Sequence, residues 1–242
     1  VRAPTRGYVQ MLIERGIDPA KLALMPKSID HQVFRPMPLA GRRTRKKMGM
    51  KDGLTLMYAG RVSPDKNLEI LSRAYTELIH IRPDLNLLIV GDGPYLKELK
   101  SAMSGLPRVV FTGRVNREEL PAIYSASDIF VFPSTTDTFG MAVLEAQACG
   151  LPAIVSEKGG PQEIVLPGVT GLVAASHDTA AWRQAIEHLI KLFHNDPAAF
   201  AAMRRAARSH ALEAYGRETY LERILMVDDQ LRGGAYPSNS RL

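Results

Sequence analysis

The chain has 242 residues, of which 45% are hydrophobic and 23% are charged, a composition that excludes disordered and fibrous classes. The net charge of +6 fits a protein that binds small anions or an anionic surface, or one with no special partner. No apolar run reaches the roughly 18–20 residues that a transmembrane helix requires, and no secretory signal is visible. The single cysteine excludes an internal disulfide and indicates a reducing compartment, so we expect a cytoplasmic protein. Because the chain begins with Val1 rather than Met, we also expect residues upstream of it.

The first fifty residues contain a helix, a strand and a basic run. Apolar residues at helical spacing predict a helix at 4–15 and a short strand at 22–25. Residues 42–47, from Arg42 to Lys47, are the densest positive run. They are interpreted either as the solvated start of a helix that ends at Gly49 or as a patch for acidic lipid headgroups or phosphates. No aromatic residues interleave with the run, so we expect no nucleic-acid partner.

From residue 54 onward, short apolar runs alternate with helical segments. The predicted strands are 54–59, 85–90, 108–113, 128–132 and 152–156, with a short edge strand inside 168–173. The predicted helices are 68–81, 117–125, 141–148, 178–194, 197–215 and a last one around 220–227, before a frayed tail at 233–242. This alternation predicts an α/β protein with a Rossmann-like parallel sheet and helices on both faces.

A polar turn and a helix follow the predicted strand 128–132. Gly140 opens that helix, and free N–H groups and the helix dipole at such a start favour an anion such as phosphate. Asp137 lies in the turn, where it either contacts a ligand or caps the helix. Glu145 lies on an otherwise almost uncharged helix, which points to the rim of a cleft or to a buried partner.

A second polar loop follows the strand 54–59. Gly60 ends the strand, and Arg61 and Lys66 come directly after it. Arginine can grip a diphosphate with two hydrogen bonds and lysine adds a point charge, although Lys66 can also be read as a solvated lysine at a helix start. Since ligands of parallel sheets lie at the carboxyl ends of the strands, we expect the residues that follow strand ends to meet: Arg61, Lys66, Gly91, Arg114, Asp137, Gly140 and Glu145.

A dinucleotide-binding fingerprint is not supported. Gly91 and Gly93 match its first two glycines, but the third position holds Leu96. No acidic residue follows a second strand where the ribose clamp belongs.

Four segments carry a resemblance to a known family. Residues 133–152, PSTTDTFGMAVLEAQACGLP, resemble the nucleotide-sugar motif of retaining GT-B glycosyltransferases of "group 1", written E-x7-E. Asp137 replaces its first Glu, and Glu145 is the second. Residues 60–67 resemble the family's "GR…KG" element with Asn67 in place of Gly, and residues 91–94 resemble its "GDGP" turn. Residues 26–36 resemble its hinge, "PNGVD…F.P", and the whole resemblance spans roughly residues 26–215.

The resemblance implies a division of the chain. Residues 1–33 would be the tail of an N-terminal acceptor domain and the hinge, residues 34–214 the nucleotide-sugar (donor) binding domain, and residues 215–242 a crossover helix and tail. Together they would form the C-terminal half of a GT-B fold. The helices at 4–15 and 220–227 are then expected to carry apolar faces for the rest of the N-terminal domain.

The resemblance also implies a function. The chain would be the donor-binding half of an enzyme that transfers a sugar, with retention, from a nucleoside-diphosphate sugar to a carbohydrate or lipid-linked acceptor. By itself it would be inactive. A non-catalytic sugar-nucleotide-binding or regulatory module is the alternative. Contact with a membrane through residues 42–47 is compatible with the enzyme.

The same resemblance assigns roles to residues. The catalytic residues are expected to be Asp137, Arg61 and Lys66. The donor-binding residues are expected to be Gly60, Gly91, Arg114, Val115, Phe139, Gly140, Met141 and Glu145, with the nucleobase near Arg114 and Val115. No metal and no further cofactor is expected, since the histidines and the cysteine show no metal-ligand spacing and no Asp-x-Asp occurs.

Overall fold

A computed structural model describes the backbone of residues 1–233 and the side chains as far as Val227. The strands are β1 (Arg2–Ala3), β2 (Ala23–Leu24), β3 (Thr55–Ala59), β4 (Asn86–Val90), β5 (Val109–Gly113), β6 (Ile129–Phe132), β7 (Ala153–Ser156) and β8 (Gly171–Ala174). The helices are α1 (Arg6–Glu14), α2 (Pro38–Lys47), α3 (Leu68–Ile81), α4 (Leu96–Ala102), α5 (Leu120–Tyr124), α6 (Met141–Ala148), α7 (Thr179–Asn195), α8 (Pro197–Tyr215) and α9 (Arg217–Gly233). Apart from Gly233, the predicted tail at 233–242 lies outside the described residues.

Strands β3 to β8 form one parallel sheet in the order β5-β4-β3-β6-β7-β8. The chain works outward from β3 through β4 to β5 and then returns to the other side of β3 at β6. Every residue of β3, β4, β6 and β7 is buried, as expected for strands of a parallel sheet covered on both faces. The predicted Rossmann-like α/β class is confirmed, and the strand order reverses between β3 and β6, where ligands of such sheets bind.

The sequence prediction missed some elements. The strand β1 pairs in parallel with β2 in a small separate sheet, and two residues are too few to show a periodicity. The helix α4 is also absent from the prediction. The helix predicted at 117–125 begins with a 3₁₀ turn, Arg117–Glu119, before α5.

The basic run lies in a different part of its helix than the sequence predicts. The helix α2 begins at Pro38, so residues 42–47 form its second half, where the helix dipole favours positive charge. Arg45 is not part of a solvated patch. Its guanidinium donates to Thr55 Oγ1 at 2.9 Å and to the Gly53 carbonyl at 2.7 Å, and it lies 3.6 Å from the Asp128 carboxylate. Arg45 therefore holds α2 against the amino-terminal end of the sheet.

The helix α6 passes through the core, which explains its lack of charge. Six of its eight residues are buried, so a polar side chain there needs a partner. Gln147 finds one in Thr170, whose Oγ1 accepts from its Nε2 at 3.0 Å. Glu145 is the other buried polar residue of α6 and belongs to the site described below.

The last helix leaves apolar side chains in solvent. On α9, Leu221, Leu225 and Met226 are 49%, 66% and 62% exposed, whereas Val227 packs against Ala23 and Met25. The helix α1 has no fully buried residue. Apolar surface is thus present where the sequence predicts it, and its cover by another domain stays a prediction.

Candidate functional site

The carboxyl ends of β3, β4 and β5 open into a cavity of about 640 Å³, a size typical of small-molecule sites. The helices α5 and α6 close it on the other side. Its wall consists of Ala59, Gly60, Arg61, Val90, Gly91, Asp92, Gly93, Arg114, Val115, Leu120, Tyr124, Ala142 and Glu145. The fold thus brings Glu145 of α6 together with five predicted residues of the loops after β3, β4 and β5, namely Gly60, Arg61, Gly91, Arg114 and Val115. The predicted catalytic residues Lys66 and Asp137 are not part of this wall.

Two of the predicted glycines contact each other. Gly91 has a φ of +130°, and a Cβ built on it would lie 1.9 Å from the carbonyl oxygen of Gly60. The Gly60 N–H donates to the Val90 carbonyl at 3.0 Å, and the Gly91 N–H donates to the Gly113 carbonyl at 3.0 Å. The loops after β3 and β4 therefore meet backbone to backbone at the floor of the cavity, which only glycine at position 91 allows.

Glu145 lies in the wall of the cavity and has a buried hydrogen-bond partner. The sequence indicated one or the other, and the structure shows both. The residue is 8% exposed, and its Oε2 accepts a hydrogen bond from the Tyr124 hydroxyl at 3.1 Å. Burial raises the pKa of the Glu145 carboxyl, and the Tyr124 hydrogen bond and the Arg117 charge oppose that rise. Among the described residues, the carboxylate of Glu145 accepts this one hydrogen bond, at Oε2 and not at Oε1. One carboxylate oxygen is therefore left for a ligand.

An ion pair joins the loops after β3 and β6. Lys66 ends a 3₁₀ turn, Pro64–Lys66, and its Nζ lies 2.8 Å from Asp137 Oδ2 and 3.2 Å from Asp65 Oδ2. Burial disfavours the charged lysine, but the hydrogen bonds and charges of Asp137 and Asp65 outweigh it and raise the pKa of Lys66. The interpretation of Lys66 as a solvated lysine is wrong, because its side chain is only 15% exposed. The pair spans the point where the strand order reverses.

Asp137 does not cap the helix that follows it. The N-cap of α6 is Gly140, and no side chain hydrogen-bonds to the start of that helix. The carboxylate of Asp137, 27% exposed, is left for Lys66 and a ligand. The Tyr58 hydroxyl donates to the Arg61 carbonyl at 2.7 Å. Burial first and the charge of Asp137 second raise the pKa of Tyr58. The ion pair with Lys66 places Asp137 beside the loop that also carries Arg61.

Three predicted donor-binding residues lie outside the cavity wall. The Phe139 ring is 5% exposed and packs edge-on against Tyr215, with ring centroids 5.8 Å apart. Its side chain belongs to the core, and a donor contact of this residue stays a prediction. Gly140 has a φ of +103° and lies against Pro161, where a Cβ would come within 2.9 Å of Cγ. Met141 is half-buried at the first position of α6.

The N-terminal segment is attached next to this loop. The Thr5 hydroxyl donates to the Thr138 carbonyl at 2.9 Å. The Glu163 carboxylate accepts from the N–H groups of Arg6 and Gly7, both at 2.8 Å, and so caps α1. Sequence reasoning proposed Thr5 only as part of the start of the first helix and assigned no role to Glu163, because pairings across 133 to 157 residues leave no local pattern.

Sequence reasoning also missed Tyr124 and Asp65 as neighbours of the site. Tyr124 belongs to a predicted helix, where a buried aromatic residue is indistinguishable from ordinary core. Asp65 adjoins Lys66 in the chain, and that adjacency was a signal that could have been used.

Among the described side chains, those of residues 1–227, no three or more His, Cys, Asp or Glu are grouped so that they could hold a metal ion. None of the helices described within residues 1–233 combines the length and the apolar character needed to cross a membrane.

Comparisons with known proteins identify the family. The model of the family described as "Glycosyl transferases group 1" matches residues 53–192. A GDP-mannose-dependent alpha-(1-6)-phosphatidylinositol monomannoside mannosyltransferase of Mycolicibacterium smegmatis is 37% identical over 204 residues, which cover 80% of this chain and 52% of the relative. The chain spans about half the length of the curated relatives it matches.

Solved structures share the fold. Anabaena Alr3699/HepE, in a complex with UDP and glucose, superposes with a TM-score of 0.83 at 22% identity and covers 96% of this chain and 62% of its own. The C-terminal domain of LpcC, a group 1 glycosyltransferase of Francisella tularensis, superposes with a TM-score of 0.69 at 22% identity, covering 78% of this chain and 99% of its own. The parallel six-stranded sheet, the matched family model and these neighbours place the chain in the group 1 glycosyltransferase family, with the α/β fold of GT-B enzymes.

Proposed function

We propose that the chain is the nucleotide-sugar-binding half of a retaining glycosyltransferase. One observation carries the proposal: Arg61 and Glu145 lie in the wall of one cavity at the carboxyl ends of the strands. The ion pair of Lys66 and Asp137 joins the loops after β3 and β6, where the strand order reverses. The relatives support a nucleoside-diphosphate sugar as the donor, since one depends on GDP-mannose and a structural neighbour was solved with UDP and glucose. Because those bases differ, the base and the sugar are left open.

The proposed division of the chain follows the sequence prediction. Residues 1–33 form the tail of an acceptor domain and the hinge, residues 34–214 the donor domain, and residues 215–242 a crossover helix and tail. The exposed apolar side chains of α9 support a surface meant for more protein. The length of the relatives, about twice the matched region, supports an acceptor-binding half elsewhere in the full-length protein.

The chemistry of a retaining transfer fits these side chains. As the bond to the sugar breaks, positive charge develops at the anomeric carbon and the departing diphosphate gains negative charge. Arg61, Lys66 and the N–H groups at the start of α6 would stabilise the diphosphate as preorganised electrostatics. Asp137 would accept hydrogen bonds from the sugar hydroxyls, and Glu145, eight residues later, would accept them from the ribose. In this arrangement the motif E-x7-E is kept with its first carboxylate one methylene shorter.

The shorter carboxylate is also the feature that favours the second candidate function. A sugar-nucleotide-binding or regulatory module would bind the donor and transfer nothing. The shorter side chain changes the distance between this carboxylate and a bound sugar, and transfer depends on that distance. Measuring sugar transfer and nucleotide binding in the wild type and in Asp137→Ala separates these two functions.

Replacing either cation should weaken nucleotide binding. We expect Arg61→Ala and Lys66→Ala each to lower the affinity for UDP, GDP or ADP about tenfold or more, since a charge-assisted hydrogen bond contributes roughly 1.5–3 kcal/mol. Lys66→Ala should cost more, because it leaves Asp137 and Asp65 facing the diphosphate without their cation. Isothermal titration calorimetry measures the nucleotide affinity of each variant. We expect the same affinity with and without EDTA, since Arg61 and Lys66 supply the positive charge that a metal ion would otherwise supply.

A matched control is Arg73→Ala, which removes an exposed arginine of α3 paired with Glu69. It should bind like the wild type, and all three variants should melt within a few degrees of the wild type. Wild-type affinity in both Arg61→Ala and Lys66→Ala would remove these residues from the site.

We also propose that α2 contacts an anionic membrane surface. Leu39, Arg42, Arg43 and Lys46 follow the spacing of one helix face, and Leu39 is 70% exposed. Each cation near an anionic bilayer contributes about 1 kcal/mol. Lys47 is set aside because its Nζ lies 4.0 Å from Glu119.

Reversing three charges on that face should abolish binding to vesicles. Arg42→Glu, Arg43→Glu and Lys46→Glu together should remove the chain from pelleted phosphatidylserine vesicles at low salt. The control reverses three other exposed cations, Arg73, Lys97 and Lys100, and should bind as the wild type does. Equal binding of both triple variants would show that net charge, and not the α2 face, brings the chain to the vesicles.

A further inference from the structure

We infer that Tyr124 is a positioning residue for the nucleotide: its hydroxyl holds the Glu145 carboxylate so that Oε1 meets the ribose hydroxyls. The inference deepens the proposed function and rests on it. The hydroxyl donates to Glu145 Oε2 at 3.1 Å, and both residues lie in the wall of the same cavity. A carboxylate accepts hydrogen bonds at both oxygens, and here one of them is already bound.

The Tyr124 ring cannot follow a moving carboxylate. It is 1% exposed, meets the Phe34 ring edge-on at 6.2 Å and lies 5.8 Å from the Phe130 ring. The hydroxyl also stays protonated at neutral pH, because burial first and the charge of Glu145 second raise the pKa of Tyr124 well above its ordinary value. Its other acceptor, the Ala142 carbonyl at 3.3 Å, lies on the same helix as Glu145 and is farther away than Oε2. A fixed donor on a packed ring sets the orientation of the acceptor that it binds.

The groups around Glu145 affect its ionisation together with the hydrogen bond from Tyr124. The charge of Arg117 favours the ionised form of Glu145. Cys149, the C-cap residue of α6, adds no charge, and burial raises its pKa to about 12. The titratable groups that share the cavity wall with Glu145 are Tyr124, Arg61, Arg114 and Asp92. From the far side of α6, Arg208 donates to the Ala148 carbonyl.

These groups determine the sign of the pH effect. Burial raises the pKa of Glu145, and the Tyr124 hydrogen bond opposes that rise. Removing the hydroxyl leaves burial less opposed, so the pKa of Glu145 rises further. If the ionised carboxylate binds the ribose, nucleotide affinity falls as the pH drops through that pKa. In Tyr124→Phe the fall should therefore begin at a higher pH than in the wild type.

The experiment compares UDP and GDP with their 2′-deoxy forms between pH 5 and pH 8. We expect Tyr124→Phe to lose about three- to tenfold in affinity for the ribonucleotides, the effect of one net hydrogen bond. The deoxy forms should lose less affinity, so the preference for ribonucleotides shrinks and the pH midpoint of that preference rises.

The matched control is Tyr75→Phe. Tyr75 is also fully buried, but its hydroxyl donates to the Leu85 and Pro107 carbonyls, outside the cavity wall. Tyr75→Phe should keep the wild-type preference for ribonucleotides and its wild-type pH midpoint. It should lower the free energy of unfolding about as much as Tyr124→Phe does.

A double variant tests whether Tyr124 acts through Glu145. Glu145→Gln should lose the preference for ribose and its pH dependence, and adding Tyr124→Phe to it should change the preference no further. If Tyr124→Phe keeps the wild-type preference and midpoint while Glu145→Gln loses them, the positioning role is overturned and the proposed function stands. If the wild type binds none of these nucleotides, or Glu145→Gln keeps the preference for ribose, the proposed role of Glu145 itself fails.

Discussion

Asp137→Ala should lower sugar transfer by the full-length protein at least about a hundredfold, roughly 2.7 kcal/mol of barrier, without weakening the binding of UDP or GDP. The reason is that the carboxylate is proposed to hold the sugar, which a sugar-free nucleotide lacks. Asp137 does hold Lys66, at 2.8 Å, and its loss leaves that cation freer to meet the diphosphate. Radioactive transfer from the nucleotide sugar gives the rate, and titration with the nucleotide alone gives the affinity.

The control for this prediction is Asp65→Ala. Its carboxylate also lies within ion-pair distance of Lys66, at 3.2 Å, but it is 48% exposed and has no proposed contact with the sugar. Transfer should stay near the wild-type rate in this variant. An equal loss in both variants would mean that the charge balance of Lys66 governs the rate and that Asp137 does not hold the sugar. A wild-type protein that binds the donor but transfers to no acceptor would support the non-catalytic alternative.

Gly91→Ala should lower the free energy of unfolding by about 3 kcal/mol, which combines backbone strain at positive φ with overpacking. The new methyl group would lie 1.9 Å from the Gly60 carbonyl oxygen, a backbone atom held in place by the neighbouring strands. Relief requires breaking hydrogen bonds at the ends of β3 and β4. Urea unfolding followed by circular dichroism measures the loss, and nucleotide affinity should fall with it, because these loops form the floor of the cavity.

Gly105→Ala is the matched control for Gly91→Ala. Gly105 also has a positive φ, +81°, but no atom lies within 4 Å of the position that its new methyl group would take. Its substitution should cost only the strain of a left-handed backbone, about 1–2 kcal/mol. An equally small loss in Gly91→Ala would contradict the close approach of the two loops.

The sheet was predictable from the sequence because its strands are short, apolar and buried on both faces. The runs at 54–59, 85–90 and 128–132 show this directly, and each is followed by the polar loop of the site. The two residues of β1 carry no such pattern. The start of α2 was missed although Pro38 marks it, since proline is common at the first position of a helix. Charge density drew attention to residues 42–47, and the structure removes Arg45 from that patch.

Side-chain partners across the site were not predictable. Lys66 and Asp137 are 71 residues apart in the chain, and nothing local in either loop specifies the other. The same holds for Tyr124 and Glu145, 21 residues apart. Phe139 lies inside the segment that resembles the nucleotide-sugar motif, and its side chain packs into the core against Tyr215, which the sequence did not indicate. Pairings of this kind depend on the strand order, which a single sequence does not display.

The hydrogen bond between Thr5 and Thr138 connects the start of α1 to the loop that carries Asp137. Thr138 follows Asp137 directly, and Glu163 grips the amino end of α1 through Arg6 and Gly7. A displacement of α1 would therefore also displace the peptide group next to Asp137, the carboxylate proposed to hold the sugar. The effect has to run in both directions, because coupling between two binding events is reciprocal. If donor binding shifts the Asp137 loop, it changes the affinity of α1 for a partner molecule. That partner, when bound to α1, then changes the affinity for the donor by the same factor.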